Sequence, residues 1–339
     1  MLRVEGENGN QRAMIRTRFA PSPTGDLHLG GALCALASYW FARSRGGRFV
    51  VRVEDLDPPR VVAGSAARIL EDLSWLGMTW DEGPAPEGGA FGPYAQAERG
   101  DLYRAAVDRL ASRGLVYPCD CSRAELARAA SAPHAGEELV YPGTCRDADP
   151  NRPMKREPAL RVRVPEDLEV SFVDGTFGDV RQRLDTVGDF VIVRGDGVFA
   201  YQLAVIVDDV AMRITDVFRG ADLLASTPRQ IFLARALGTP EAEIPRYHHL
   251  PLVVDQAGER LAKRTPGAHV RALREHGVPA EAILGVLASA LGLRLGDAPV
   301  SLPALVDATG PLAPRPLRIP ADWAALTALP DAQRERSEK

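Results

Sequence analysis

The first structured part of the chain is a short apolar run followed by a loop and a longer segment of helical periodicity. Residues 14–19 form the run, and Pro21 closes it, which predicts a β-strand that ends in a loop. Residues 29–45 place large apolar side chains three and four positions apart, as at Leu33, Leu36 and Trp40. The pattern therefore predicts a strand, a Pro/Gly-rich loop and a helix, in that order.

The same unit is repeated immediately afterwards. Residues 48–53 form a second apolar run, which ends before Pro58 and Pro59, and neither proline can continue a strand ladder. Residues 62–76 then show helical spacing and stop before Gly77. Alternating strands and helices are typical of a parallel α/β sheet, in which ligands bind at the carboxyl ends of the strands.

An interruption separates this first half from a second series of alternating segments. A helical stretch at 97–113 leads into an Ala-, Gly- and Pro-rich passage that ends near Pro158, and short strands follow at 160–164 and 189–193. The alternation resumes in segments 202–208, 214–218, 226–237 and 249–254, and helices are predicted at 268–275 and 280–291. We interpret the interruption as an insertion in one α/β domain.

These segments predict one main domain with smaller additions. The main domain covers residues 13–270 and includes the insertion at about 114–188, and a short helical region follows at 271–330. The ends at 1–12 and 331–339 are polar and can bury little apolar surface. We expect them to be a flexible N-terminus and a tail.

Composition and charge narrow the class of protein without identifying it. The 339 residues are 45% hydrophobic and 25% charged, as in folded domains rather than disordered ones. The net charge of −4 argues against non-specific coating of nucleic acid. No apolar run approaches the roughly 18 residues that span a bilayer, and the N-terminus lacks a signal peptide. We expect a cytoplasmic protein without membrane contact, and we take it to be a monomer.

The most informative segment is the first loop, between the predicted strand and helix. Residues 18–31 are Arg-Phe-Ala-Pro-Ser-Pro-Thr-Gly-Asp-Leu-His-Leu-Gly-Gly. Gly30 and Gly31 allow a ligand to approach the backbone closely, the helix N-terminus attracts anions, and His28 can donate a hydrogen bond to a phosphate. The loop therefore predicts a nucleotide site.

Segment 18–31 resembles the nucleotide signature of the glutamyl branch of the class I aminoacyl-tRNA synthetases, His-x-Gly followed by His or a small residue. The resemblance covers roughly residues 15–270 and implies a Rossmann-type catalytic domain that activates glutamate with ATP and magnesium. It assigns Gly30 and Gly31 to ATP binding, and His28 to both ATP binding and catalysis. A simple strand-to-helix turn is the alternative interpretation of the segment.

A second signature of this family is a mobile loop that carries a lysine. The family pattern is Lys-Met-Ser-Lys-Ser or close to it, and residues 260–264 are Arg-Leu-Ala-Lys-Arg, with Arg260 and Ala262 at the two divergent positions. The resemblance implies that Lys263 contacts the triphosphate of ATP and takes part in catalysis. Without the family, the segment is a basic turn, which is usually a solvated group of charges.

Recognition of glutamate requires donors for its side-chain carboxylate and acceptors for its ammonium group, because unpaired charges in a pocket are costly. The resemblance implies that these residues form the glutamate pocket: Arg18, Phe19, Ala20, Pro21, Ser22, Glu54, Tyr201 and Arg219. Glu54 is expected to bind the ammonium group, and two arginines suit an acid better than an amide. The pair Asp208-Asp209 predicts a helix end and His248-His249 predicts core or surface residues, so neither pair is assigned to catalysis.

Three of the four cysteines, Cys119, Cys121 and Cys145, lie close together in the sequence with Tyr141 between them. In a reducing compartment such a cluster favours a metal over a disulfide. Three thiolates and one phenol oxygen can hold zinc tetrahedrally, although tyrosine is a rare ligand and Cys-x-Cys is closer than the usual spacing. Shorter relatives of glutamyl-tRNA synthetase carry a similar arrangement, which implies an inserted zinc-binding subdomain with one structural ion. His134 is an alternative ligand, because the stretch before Tyr141 is longer than in those relatives.

The segment after the lysine loop suggests which molecule receives the glutamate. Only 76 residues follow Lys263, whereas a glutamyl-tRNA synthetase continues there with a helical anticodon-binding region. The chain therefore resembles the shorter relatives that transfer glutamate to queuosine, at the wobble position in the anticodon loop of tRNA(Asp). Two alternatives stay open: a short enzyme that charges the 3′ end of tRNA(Glu), and a non-catalytic tRNA-binding paralogue. The presence of His28 and Lys263 argues against the second alternative.

Overall fold

The computed structural model describes most of the chain between residues 14 and 320. The described residues are 14–122, 124–126, 140–149, 151–254, 269–294, 296–307, 310–318 and 320. The predicted ends, Lys263 and the alternative zinc ligand His134 lie outside them. In these parts of the chain, no helix combines the length and the apolar character that are needed to cross a bilayer.

A six-stranded sheet forms the centre of the molecule. The strands of the described residues are β1 (Arg16–Phe19), β2 (Arg48–Val51), β3 (Val116–Cys119), β4 (Ala159–Val162), β5 (Glu169–Asp174), β6 (Gly178–Arg183), β7 (Phe190–Val193), β8 (Asp216–Gly220), β9 (Arg246–Leu250), β10 (Val253–Val254) and β11 (Leu317–Arg318). The main sheet has the order β2-β1-β8-β9-β5-β6, and all neighbours in it are parallel except the antiparallel pair β5 and β6. The carboxyl ends of β1, β2, β8 and β9 therefore meet at one edge of the sheet.

Helices connect these strands in the alternation that the sequence predicts. The α-helices are α1 (Leu29–Arg43), α2 (Ser65–Trp75), α3 (Gly100–Ser112), α4 (Tyr201–Ala211), α5 (Thr227–Leu237), α6 (Val270–Glu275), α7 (Ala280–Ala290) and α8 (Leu302–Asp307). The strand–loop–helix unit β1–α1 and the repeat β2–α2 lie within a few residues of their predicted bounds. The predicted α/β class is thus confirmed.

Helix α1 is apolar on nearly every face because protein covers it on both sides. Ala32, Ala35, Ala37 and Trp40 are all buried, and the helix contacts β1 and β8 on one side and α7 on the other. The small alanines let the neighbouring elements approach the helix closely, and burial of this apolar surface holds it in place. This packing fixes the position of the helix N-terminus at His28.

The hairpin formed by β5 and β6 is the largest element that the sequence analysis missed. Its residues lie within the predicted insertion, yet β5 pairs with β9 through Asp174 and Tyr247 and so extends the main sheet. Strand β6 is mostly polar because it is the outer edge of the sheet, and an edge strand lacks the apolar pattern that reveals a buried one. Strands β3 and β4 of the same insertion form a separate three-stranded antiparallel sheet with β7, which follows the predicted insertion.

The C-terminal helices complete the core around α1. Helices α6 and α7 correspond to the segments predicted at 268–275 and 280–291, whereas α8 was not predicted. Gly285 allows α7 to pack closely, since an added Cβ would lie 2.2 Å from the Ala298 carbonyl oxygen. The short helical C-terminal region therefore supports the helix whose N-terminus carries His28.

Candidate active site

The predicted site residues of the described chain lie at the carboxyl edge of the main sheet. Arg18 is in β1, Arg219 is in β8 and Glu54 follows the end of β2. His28 is the N-cap of α1, and Tyr201 is the first residue of α4. Parallel strands present their carboxyl ends together, so residues far apart in the sequence reach one cleft.

His28 is held in place by its own helix. Its Nδ1 accepts a hydrogen bond from the Gly31 N–H at 2.9 Å, which satisfies one of the unpaired donors in the first helical turn. In the neutral imidazole the proton is then on Nε2. The side chain is exposed. The ring therefore presents an N–H donor in front of the helix N-terminus, where an anion is favoured.

Gly30 and Gly31 leave room for this ring. An added Cβ at Gly30 would lie 3.1 Å from His28 Nδ1 and 3.2 Å from Val253 Cγ2, and one at Gly31 would lie 3.0 Å from Leu27 Cδ1. Contacts of this length force the neighbouring atoms to move. A larger residue at Gly30 would therefore press on the ring of His28, and one at Gly31 would press on Leu27.

Residues 269 and 270, which follow the predicted lysine loop in the sequence, lie next to the same turn. The Val270 N–H donates to the Leu27 carbonyl at 2.8 Å, and His269 forms a β-bridge with His28. The chain therefore returns to the His28 turn directly after residues 255–268. Lys263 itself lies outside the described residues, so its contact with the triphosphate stays a prediction.

A buried network of charged side chains fixes Arg18 and Glu54, two of the predicted glutamate contacts. Asp209 is fully buried in α4, and its Oδ1 accepts hydrogen bonds from Arg18 Nε at 3.2 Å and Arg52 Nη1 at 2.8 Å. Arg52 Nη2 also donates to Glu54 Oε1 at 3.1 Å. Desolvation raises the pKa of Asp209, but the charges of Arg18 and Arg52 outweigh it and hold that pKa below its usual value. Arg18 and Arg52 are thus fixed by a carboxylate that is ionised at neutral pH.

Arg219 has a different set of partners. Its Nε donates to His249 Nε2 at 3.0 Å, its Nη1 to Gln230 Oε1 at 2.7 Å and its Nη2 to Thr227 Oγ1 at 2.6 Å. The side chain is only 4% exposed, and no carboxylate is among these three acceptors. The guanidinium is therefore oriented by hydrogen bonds while its positive charge remains uncompensated by them.

Glu54 and Tyr201 lie in the same electrostatic environment. Desolvation raises the pKa of Glu54 against the lowering effect of Arg52 and Arg18. Desolvation also raises the pKa of the Tyr201 phenol, on which the charges of Arg219, Glu54 and Arg18 all act. Tyr201 is 37% exposed, so part of this residue is accessible to solvent.

The charges of this cleft match an amino acid that has an acidic side chain. A cation near Glu54 would offset the cost of burying that carboxylate, and an anion near Arg219 would offset the cost of burying the guanidinium. An ammonium group and a carboxylate on one small molecule meet both needs. An amide side chain would leave the charge of Arg219 unmatched.

The remaining predicted glutamate contacts, Phe19, Ala20, Pro21 and Ser22, form the end of β1 and the loop after it. The Phe19 carbonyl accepts the Arg52 N–H at 3.0 Å, and the Pro21 carbonyl accepts the Glu54 N–H at 2.9 Å. Phe19 is buried, and Ser22 is exposed. The loop is therefore fixed on the backbone segment that carries Glu54.

Three buried residues, from the two pairs that sequence reasoning left outside the site, belong to its support. Asp208 and Asp209 lie in the last turn of α4, as predicted, but both are fully buried and bonded to arginines. His249, which was predicted to be a core or surface residue, is buried and accepts a hydrogen bond from Arg219. Two adjacent acids at the end of the apolar run 203–207 were the available signal, because buried acids require cationic partners.

The predicted metal ligands converge beside the three-stranded sheet. The sulfur atoms of Cys119, Cys121 and Cys145 lie within 4.8 Å of one another, and those of Cys121 and Cys145 are 3.5 Å apart. The Tyr141 hydroxyl lies 3.4 Å from the Cys119 sulfur. In a tetrahedral zinc site, bond lengths of about 2.3 Å to sulfur and 2.0 Å to oxygen separate ligand atoms by about 3.5–3.8 Å. The cluster is therefore compatible with one metal ion after small adjustments.

The surroundings of the cluster act differently on its thiols: they lower the pKa of Cys119, whereas desolvation and the neighbouring Cys145 raise the pKa of Cys121 to about 12. Desolvation raises the pKa of Cys119, but hydrogen bonding with Tyr141 and the backbone outweighs it, so that this pKa is lowered overall. Arg152 Nη2 donates to the Cys145 sulfur at 3.3 Å, and the Arg161 guanidinium lies 3.7 Å from the centroid of the Tyr141 ring. Positive charges next to deprotonated ligands reduce the repulsion among them.

The chain matches one protein family over most of its length. The matched family is described as tRNA synthetases class I (E and Q), catalytic domain, and the match covers residues 14–306. The chain is also 47% identical, over 319 residues, to the glutamyl-Q tRNA(Asp) synthetase of Nitratidesulfovibrio vulgaris. That alignment covers 91% of this chain and 97% of the relative.

A second kind of relative is longer than this chain. The glutamate–tRNA ligase of Nitrosospira multiformis is 42% identical over 285 residues, which cover 84% of this chain but 58% of the ligase. The crystal structure of a glutamate tRNA ligase from Elizabethkingia meningosepticum, in complex with its amino acid, is similar with a TM-score of 0.79 and 30% identity. That match covers 91% of this chain and 68% of the ligase.

Proposed function

The chain belongs to the class I tRNA synthetases of the E and Q type, and on this basis we propose that it activates L-glutamate with ATP and transfers the glutamyl group to queuosine in tRNA(Asp). The proposal rests on two side chains of opposite charge, each of which would be stabilised by an oppositely charged group of a ligand. Arg219 is buried among neutral acceptors, and the Glu54 side chain is 8% exposed, with a pKa that desolvation raises despite the contact with Arg52. Glutamate supplies the matching carboxylate and ammonium group.

The first half-reaction joins glutamate to the adenylyl group. An oxygen of the α-carboxylate attacks the α-phosphorus of ATP, the bond from that phosphorus to the bridging oxygen breaks, and pyrophosphate leaves. Catalysis consists mainly of alignment and charge neutralisation. We assign ATP binding to His28, Gly30, Gly31 and Lys263, with magnesium on the phosphates, and we assign catalytic roles to His28 and Lys263.

The second half-reaction is proposed to take place on the anticodon loop. A hydroxyl oxygen of the cyclopentene ring of queuosine attacks the carbonyl carbon of the adenylate, and AMP leaves. The relative that carries the glutamyl-Q tRNA(Asp) name is matched over nearly its whole length, which supports this acceptor over the 3′ end of tRNA(Glu). The cytoplasmic location and the monomeric state are retained as predictions from the sequence.

Transfer of labelled glutamate tests the proposal. We expect glutamate-dependent ATP–pyrophosphate exchange without any tRNA, and label on tRNA(Asp) that contains queuosine but not on the matched tRNA(Asp) that lacks it. Label on the 3′ end of tRNA(Glu) would support the charging enzyme instead. A folded protein that shows no exchange with glutamate would contradict the activation step itself.

We further infer that Cys119, Cys121, Tyr141 and Cys145 hold one structural zinc ion. Three thiolates and a phenolate leave no open coordination position, so the ion would stabilise the insertion and would not take part in the chemistry. Support comes from the distances between these ligand atoms and from the two arginines next to them. When bound, the ion connects the end of β3 to the chain around Cys145.

Metal content is the direct measure of this inference. Protein purified without an affinity tag is expected to contain about one zinc ion per chain, and Cys145→Ser is expected to reduce the content to background because one thiolate of the closed site is lost. Cys34→Ser is the matched control. Desolvation raises the pKa of Cys34 to about 12, and this residue lies in α1, outside the cluster. Wild-type protein without zinc would exclude the site.

A further inference from the structure

Behind Arg219 lies a buried chain of hydrogen bonds that the proposed reaction does not use directly. Arg219 Nε lies 3.0 Å from His249 Nε2, and His249 Nδ1 lies 2.6 Å from Asp174 Oδ2. The side chains of His249 and Asp174 are both completely buried. The three residues come from the neighbouring strands β8, β9 and β5 of the main sheet.

These contacts determine where the imidazole proton is. A guanidinium has only donors, so His249 Nε2 must accept the hydrogen bond from Arg219 with its lone pair. His249 Nδ1 must therefore carry the proton and donate it to Asp174. Desolvation lowers the pKa of His249 more than the contact with Asp174 raises it, which keeps the ring neutral at neutral pH.

We propose that Asp174 and His249 are positioning residues for glutamate recognition: Asp174 selects the Nδ1–H form of His249, and His249 Nε2 fixes the guanidinium of Arg219 towards the substrate side-chain carboxylate. This inference rests on the proposed function, because it takes Arg219 as the partner of that carboxylate. It adds two residues that do not touch the substrate.

The interposed imidazole explains how Arg219 can be rigid and still carry an unmatched charge. A carboxylate in direct contact would orient the guanidinium but would also compensate its charge, as Asp209 does for Arg18. The neutral ring orients Arg219 through one hydrogen bond and keeps the ionised Asp174 behind it. Gln230 and Thr227, which are also neutral, accept hydrogen bonds from the two other guanidinium nitrogens of Arg219. The charge is therefore left for a ligand.

Asp174 also has a local structural role, which an experiment must separate from positioning. Its Oδ1 accepts the N–H groups of Thr176 at 2.9 Å and Phe177 at 3.0 Å, and so closes the turn between β5 and β6. Loss of the carboxylate would therefore disturb the hairpin as well. A purely structural role predicts lower stability and a general loss of activity, whereas positioning predicts a selective loss of glutamate affinity.

The Asp174→Asn variant separates these roles because asparagine keeps the size of the side chain. If its amide nitrogen faces His249 Nδ1, the ring must carry its proton on Nε2, which then faces the Arg219 N–H as a second donor. If the amide nitrogen instead faces the turn, it lies against the N–H groups of Thr176 and Phe177, which are also donors, and both of these hydrogen bonds are lost. We expect the first arrangement, with a KM for glutamate raised about 10- to 100-fold, as for the loss of a hydrogen bond to a charged group, and an unchanged KM for ATP.

A pair of His249 variants provides the second test and covers the case in which Asp174→Asn does not fold. His249→Gln can place an amide oxygen near the position of Nε2 and is expected to retain most of the glutamate affinity, whereas His249→Leu offers no acceptor. The neighbouring residue supplies the matched control. His248 makes the corresponding contact with Asp216, at 3.0 Å, and none of its contacts is with Arg219. His248→Gln is expected to leave both KM values unchanged.

The measurement is ATP–pyrophosphate exchange of the full-length variants, with glutamate and ATP varied separately and folding checked by thermal unfolding. A selective rise in the KM for glutamate in Asp174→Asn and His249→Leu, with rescue by His249→Gln, supports the inference. Unchanged glutamate KM values, or equal rises for glutamate and ATP, would overturn it while the proposed function stands. Wild-type protein without glutamate-dependent exchange would overturn both.

Discussion

Replacement of Arg219 by glutamine is expected to raise the KM for glutamate roughly 30- to 5,000-fold in ATP–pyrophosphate exchange, with little effect on the KM for ATP. The range corresponds to the roughly 2–5 kcal/mol that is lost when one partner of a buried, hydrogen-bonded charge pair is removed. The substrate carboxylate would enter the pocket without the cation that matches it. The affinity for glutamine, which needs no cation, is expected to fall much less.

The partners of Arg219 make this variant a test of recognition rather than of folding. Thr227 Oγ1 lies 3.2 Å from His249 Nε2, so the hydroxyl can donate to the imidazole once the guanidinium is gone. No carboxylate is left unpaired among the three acceptors. Thermal unfolding of Arg219→Gln should therefore stay close to that of the wild type.

A neighbouring arginine supplies the control for this variant. Arg246, in β9, pairs with Asp216 and is largely exposed, and Arg246→Gln should leave the glutamate KM unchanged. An Arg219→Gln enzyme that still prefers glutamate to glutamine by the wild-type ratio would contradict the role of Arg219.

The parts of the fold that could be predicted are those that local sequence determines. The unit β1–α1 has a proline-bounded apolar run, a glycine-rich loop and a helix of regular apolar spacing, and each of these signals lies within a few residues of the element it specifies. The β5–β6 hairpin has only a weak local signal, the alternating Val170 and Phe172 of β5 before the turn at Gly175. Strand β5 joins the main sheet by pairing with β9, more than seventy residues later, and β6 is a polar edge.

The same distinction separates the predicted from the missed parts of the site. Arg18, His28 and Glu54 lie in or next to recognisable segments, and the resemblance to a family assigns them directly. Asp174 and His249 are 75 positions apart and contact one another only because β5 and β9 are neighbours in the sheet. Their role depends on a contact with Arg219 from a third strand, and no local pattern encodes that contact. The residues that position the buried Arg219 can therefore be identified only from the three-dimensional structure.

His28→Asn is expected to lower the rate of ATP–pyrophosphate exchange about 100- to 1,000-fold, the loss that follows removal of one hydrogen-bond donor to a developing transition-state charge. Asparagine is chosen because its side-chain oxygen can accept the Gly31 N–H in place of His28 Nδ1, so the N-cap of α1 is retained. It lacks a donor at the position of Nε2. The helix should therefore stay intact while the contact with the phosphates is lost.

The effect should appear in kcat, and not in the KM for glutamate, because His28 lies at the start of α1 whereas the glutamate carboxylate is assigned to Arg219. His28→Ala is expected to lower the rate similarly and also to destabilise the fold by about 0.5–2 kcal/mol, since alanine removes the cap. Comparison of the two variants by kinetics and by denaturant unfolding separates the cap from the donor. His276→Ala, an exposed histidine at the end of α6, is the control for loss of an imidazole. If His28→Asn kept the wild-type rate, the N-terminus of α1 would bind the phosphates through its backbone alone, and His28 would be a helix cap without a catalytic role.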